Sequence, residues 1–136
     1  MTGSQIALAI QIETKRGRDS FKSAEILLAA GMYADAVSRA YYGALHFARA
    51  LLLTADEEPK THGGVVRLIS RDFVRTGELA PEVAQLLSAL EKQRSDADYT
   101  AELVFTQASA AQDIARSGQF IDAIAELLTR KGWVIA

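Results

Sequence analysis

The residues best able to do chemistry fall in three places. The first is a polar row in an otherwise apolar stretch: Asp35, Arg39, Tyr42, His46 and Arg49, spaced by four, three, four and three residues. On a helix that spacing places all five on one side, beside the apolar stripe. A guanidinium and a phenol are costly to bury without partners. Two readings stay open: a structural Asp35–Arg39 pair at i and i+4 with a tyrosine and a histidine at the bundle edge, or a groove that binds a ligand. The second place is KTHGGVVRLISRDFVRTG, where Arg67, Arg71 and Arg75 recur every fourth residue. With Lys60 they make four cations opposed by Asp72 alone. Such a row is either a solvated face or a set of phosphate contacts. His62, ahead of two glycines, reads as a capping or loop-fixing residue. The third place is QRSDADY, where Arg94 and Asp98 stand at i and i+4 and Tyr99 follows. It reads equally as an exposed ion pair with a packed tyrosine.

Other chemistries have no footing. Cysteine is absent, which removes disulfides, thiolate nucleophiles and sulfur-ligated zinc. His46 and His62 are far apart, and no HExxH or ExxH spacing completes a metal site, so no metal or other cofactor is expected. No glycine-rich phosphate loop, dinucleotide fingerprint or nucleophile elbow is present. The formal net charge is −2, so any contact with RNA must come from a local patch rather than a global field. The short apolar stretch Ile6–Ile12 precedes the basic residues KRGR, the reverse of a signal peptide, and is too short to span a bilayer. A cytoplasmic protein without a membrane association is expected.

The elements that must position these residues are helices. At 136 residues the chain suits a single domain. Apolar periodicity predicts a helix over about Ser4–Ala30, with Phe21, Ala24, Ile26, Leu27 and Leu28 inward and Gly17 as an interruption. Residues 1–16 are therefore a candidate N-terminal extension. A second helix runs from about Tyr33 to Thr54, carrying the inward stripe Val37, Ala40, Tyr41, Ala44, Leu45, Ala48, Leu51 and Leu52. The stretch Asp56–Lys60 reads as a loop. A short helix covers Gly63–Arg75. Pro81 opens a fourth that reaches about Tyr99. The last lies within Thr106–Lys131, with Gly118 as a weak point. Four long helices and one short one make an all-α, up-down antiparallel bundle.

Three stretches in this order, AVSRAYYGALHFARALL, KTHGGVVRLISRDFVRTGEL and QRSDADY, resemble the HEPN (higher eukaryotes and prokaryotes nucleotide-binding) domain family. The nearest likeness is to its small stand-alone prokaryotic group, often encoded beside a minimal nucleotidyltransferase. The resemblance covers Phe21–Tyr99 clearly and the last helix loosely. It implies a bundle of four or five helices that works as a homodimer. It implies kinship with metal-independent ribonucleases that act as toxins, restrained by the nucleotidyltransferase partner. In those relatives the active motif is an arginine followed four to six residues later by a histidine. Carried onto this chain, the arginine is Arg94, while Tyr99 stands in the histidine's place, giving RxxxxY. Arg94 keeps the fork that holds a phosphate bidentately. A tyrosine, with a reference pKa near 10, is a poor base for a ribose 2′-hydroxyl. His46 can substitute only if the fold brings it to Arg94. Tyr99 is also a candidate for nucleotidylation by the partner. The resemblance thus favours a nucleotide- or RNA-binding module without efficient catalysis, ahead of an active endoribonuclease toxin and a purely structural dimer.

Overall fold

The computed structural model describes residues 1–99 and 105–136. Helix α1 (Gly3–Ala29) opens on a capping box: Thr2 Oγ1 accepts from the Gln5 amide, and the Gln5 side chain accepts from the Thr2 amide at 2.8 Å. This satisfies two of the amides that a helix start leaves without partners. Helix α1 is followed by Gly31 at φ 77°, a left-handed turn that costs glycine little. Helix α2 (Tyr33–Leu53) runs back along α1. Helix α3 (His62–Ile69) is capped by Thr61 and continues into one π turn, Ser70–Val74. Helix α4 (Pro81–Tyr99) starts on its proline, and α5 (Gln107–Arg130) starts on a second capping box, from Thr106 and Ser109. This is the expected all-α bundle of four long helices and one short one. No helix among the described residues is long and apolar enough to cross a membrane.

Helix α2 is the central element and touches α1, α3, α4 and α5. Tyr41, Phe47, Leu51 and Leu52 of α2 pack with Ile10 of α1, Leu87 and Leu90 of α4, and Phe120, Ile124 and Leu128 of α5; all are essentially inaccessible to solvent. Each such side chain contributes about 1.5–3 kcal/mol when removed from water. At the other end a smaller cluster of Ala24, Ala36, Ala40 and Ile114 closes the bundle. Alanines there let the helix axes approach.

Three expectations are corrected. Gly17 does not interrupt α1, which runs unbroken from Gly3 to Ala29 with Ile10, Thr14 and Gly17 buried. The glycine serves close approach. A β-carbon there would lie 2.5 Å from the Phe47 ring and 3.0 Å from the Gly43 carbonyl oxygen of α2. The second correction is Ile26, expected inward but 59% exposed. Ala24 is buried as expected, and the apolar face of α1 is narrower than its composition suggests. Gly118 likewise leaves α5 continuous, and a β-carbon there would meet the Phe21 ring at 3.5 Å, an ordinary contact.

Two polar side chains of α5 are buried, Asp113 and Ser117. Asp113 is 1% exposed and accepts from Arg116 at 2.8 Å, one turn before Ser117, whose hydroxyl donates to the Ala40 carbonyl at 2.7 Å. Burial raises the Asp113 carboxyl above its ordinary value, and Arg116 only partly opposes this. The folded state therefore holds this proton more tightly than the unfolded chain. The contribution is favourable at acid pH and is lost as pH rises through the folded value. Asp113→Asn is expected to cost the wild-type fold little or nothing at neutral pH, about 1 kcal/mol at most, and to compare less favourably as pH falls toward about 4, where the difference levels off because both states are then protonated. Urea unfolding of both proteins across that range checks the sign.

Candidate functional site

Arg94 lies on the last turns of α4 and is 7% exposed. Its Nη2 donates to Glu91 at 2.9 Å (Oε1) and 3.1 Å (Oε2), and its Nη1 donates to Asp98 Oδ2 at 3.2 Å. These are i−3 and i+4 neighbours, so α4 itself supplies both carboxylates. A third acceptor comes from elsewhere. His62, the first residue of α3, brings Nδ1 to 3.1 Å from Nη2. The buried Nε has no partner among the described residues. Burial works against the charge on Arg94, but the hydrogen bonds from Glu91 and Asp98 outweigh it and the group is held still more firmly protonated.

Aromatic rings from α2 floor the cluster. The Arg94 Cζ is 5.3 Å from the Tyr41 ring centroid and 6.0 Å from that of Tyr42. Tyr41 and Tyr42 meet edge to face at 5.2 Å, and His62 meets them at 5.5 and 6.2 Å. Tyr41 is buried, and burial, with a hydrogen bond to Glu91, pushes its phenol well above the usual range, so it stays neutral. Arg39 reaches the same place from α2, its Cζ 4.8 Å from the Tyr42 centroid. Tyr99 closes the far side, 6.0 Å from Arg94 and 78% exposed. Such cation–ring contacts contribute about 0.5–2 kcal/mol each.

Of the residues singled out in sequence, Arg39, Tyr42, Arg94 and Tyr99 therefore come together. Asp98 and His62 join them on Arg94, whereas His46, Arg49 and the basic row do not. His46 Nδ1 is 2.7 Å from Glu13 Oε2 of α1. Arg49 lines a small cavity of about 70 Å³ with Glu13, Glu57 and Glu58. The row does share one helix face, but the neighbour across that face is α4 beside Tyr42 and α1 beside His46. His46 is thus no substitute for the missing motif histidine. The Asp35–Arg39 pair, one of the two readings left open, is not formed among the described residues; Arg39 lies on Tyr42 instead.

The basic row is dispersed as well. Arg71 is taken up by Asp72 at 2.7 Å and by Glu57. The Arg75 amide donates to the Ser70 carbonyl, five residues back, so the π turn breaks the four-residue register that would align Arg71 with Arg75. Lys60, Arg67 and Arg75 are exposed, and none of the four cations pairs with a member of the Arg94 cluster.

Sequence reasoning gave His62 a capping or loop-fixing role and Tyr41 a place in the core stripe, and did not single out Glu91. The available signal was local: Glu91 is three residues before Arg94, and Tyr41 adjoins Tyr42. For His62 the cap at Thr61 showed where α3 begins but not what it meets.

The site is thus a charged clasp of one arginine and two carboxylates, set against three tyrosines and a histidine and flanked by a second arginine. Comparison with known proteins agrees with this arrangement of helices. The HEPN domain model matches residues 11–128. Two chains of Methanocaldococcus jannaschii, each named "Putative toxin", are similar to this one. The first is 34% identical over 119 residues, 88% of either chain. The second is 29% identical over 117 residues, 86% of this chain and 80% of its own. A Thermotoga maritima chain named "UPF0332 protein" is 29% identical over 119 residues, 88% of this chain and 90% of its own. The match covers α2, α3 and α4, which carry the clasp, and the chain belongs to the HEPN domain family.

Proposed function

We propose that this chain is the RNA- or nucleotide-binding member of a toxin–antitoxin-like pair, working as a homodimer beside a minimal nucleotidyltransferase, and that it binds without efficient cleavage. The observation that carries the reading is the meeting of two guanidiniums from separate helices, Arg39 and Arg94, at the ring of Tyr42. Rings and guanidiniums together suit unstacked bases and their phosphates. Arg39 makes no ion pair among the described residues and is the cation left to meet a phosphate. The toxin names of the two Methanocaldococcus jannaschii relatives support a toxin-like module.

Weak catalysis follows from two features. Tyr99 replaces the motif histidine, and Arg94 already gives its Nη groups to Glu91, Asp98 and His62. A second reading, a metal-independent endoribonuclease, is favoured by one contact, that of His62 with Arg94.

Fluorescence anisotropy with a short single-stranded oligoribonucleotide separates the two. Wild-type protein is expected to bind, and Arg39→Ala to lose about tenfold in affinity, with a salt dependence lower by about one unit. Arg71→Ala is expected to bind as wild type. The oligonucleotide should remain intact after long incubation. Equal binding by Arg39→Ala would defeat the reading. Chelator-insensitive cleavage, abolished in Arg94→Ala, would establish the ribonuclease instead.

A further inference from the structure

The contact between His62 and Arg94 fixes more than a position. A guanidinium carries five N–H donors and no acceptor. At 3.1 Å from Nη2, His62 Nδ1 must therefore be the accepting nitrogen. In a neutral imidazole one ring nitrogen accepts and the other carries the hydrogen. With Nδ1 accepting, the hydrogen is on Nε2. The remaining neighbour of Nδ1 is Glu91 Oε2 at 3.5 Å, long for a hydrogen bond, and that carboxylate already accepts from Arg94. If the ring gains a second proton, Nδ1 turns from Arg94 to Glu91, and Nε2 still bears hydrogen. Nε2 is thus a donor in either state.

That nitrogen is free to act outward. It has no partner among the described residues, is not among their buried orphan atoms, and the His62 side chain is 31% exposed. The ring is held at both ends: its backbone by the Thr61 cap, whose hydroxyl accepts from the Gly64 amide at 2.9 Å, and its inner edge by Arg94. Tyr42 lies beside it, with Arg39 against the same ring.

We propose that Arg94 sets the polarity of His62, so that Nε2–H is a fixed recognition donor for a phosphate oxygen, shared with Arg39 across Tyr42. The ligand class rests on the binding function proposed above; the tautomer does not. His62 is then a ligand-binding residue and not a replacement for the missing base, because a nitrogen that carries hydrogen cannot take a proton from a 2′-hydroxyl. The phosphate is either a phosphodiester of single-stranded RNA or that of a free nucleotide.

Long-range ¹H–¹⁵N correlation on the full chain reads the tautomer directly. The Nε2–H form is expected, and an Nδ1–H form would overturn the proposal. Two probes are then titrated, a single-stranded oligoribonucleotide and a nucleoside 5′-monophosphate. A shift of the His62 Nε2 signal with the oligoribonucleotide alone supports the RNA phosphodiester; a shift with both supports the phosphate group itself. His62→Leu is expected to weaken binding about tenfold, the worth of one charge-assisted hydrogen bond. His62→Gln, which keeps a side-chain donor, should recover most of it. Unchanged affinity in His62→Leu, alongside a loss in Arg39→Ala, overturns the role of His62 alone. Failure of wild-type protein to bind either probe overturns the binding function as well.

Discussion

Arg94→Ala is expected to lower stability by about 3 kcal/mol, a fall in melting temperature of roughly 10 °C, and to abolish RNA binding. Removing one partner of a buried ion pair typically costs about 3–5 kcal/mol, because the other charge is left without compensation. Here two carboxylates lose their cation at once. Glu91 and Asp98 are about a third exposed (31% and 33%), so water takes up part of the loss. Arg94 itself is 7% exposed and rests on Tyr41 and Tyr42, so its truncation also opens a void under α4. The Glu91 carboxylate would then face the Tyr41 phenol and His62 without its counter-ion. Arg94→Lys keeps the charge but not the planar fork that serves three acceptors, and it is expected to recover less than half of the stability. Thermal unfolding of the three proteins decides the matter. A loss below about 1 kcal/mol would make Arg94 an ordinary surface ion pair.

Gly17→Leu is expected to be at least as damaging, about 3 kcal/mol or more. Even a β-carbon at this position falls 2.5 and 2.7 Å from two Phe47 ring atoms and 3.0 Å from the Gly43 carbonyl oxygen. The ring is fully buried and has nowhere to swing, and the carbonyl is part of α2. Helix α1 must therefore lift from α2, the partner with which it makes its most extensive contact. Gly17→Ala meets the same obstruction with its β-carbon alone, and a gain of up to about 1 kcal/mol in helix propensity offsets part of it, so its net loss is smaller than that of the bulkier leucine. Gly63→Ala, with open space around its β-carbon, is the control and should change stability by less than about 1 kcal/mol. Equal stability of Gly17→Leu and wild type in urea would show that α1 and α2 do not pack at this distance.

These two residues show what a sequence displays and what it hides. Apolar spacing announces the helices, because a face buried at 3.6-residue intervals is written in the residue order itself. Gly31 and Pro81 mark helix ends by their backbone requirements alone. Gly17 misleads because a glycine that breaks a helix and one that lets a second helix approach look the same until that neighbour is placed. The polar row of α2 was legible as a face, but a face passes several neighbours along its length. Tyr42 meets α4 and His46 meets α1. His62 was the least visible member of the site. It lies 32 residues from Arg94 in sequence, and only the folding of α3 against α2 and α4 brings them together. The π turn, too, depends on tertiary packing and dissolves the arginine row that four-residue spacing suggests.

The central claim is that the clasp around Arg94, and not the arginine row of α3, receives the ligand. Chemical-shift mapping of the ¹⁵N-labelled chain with a single-stranded oligoribonucleotide tests it most directly. Perturbations should gather on Arg39, Tyr42, His62 and Tyr99, with the oligonucleotide recovered uncut. Perturbations centred on Lys60, Arg67, Arg71 and Arg75, with that group unmoved, would contradict it.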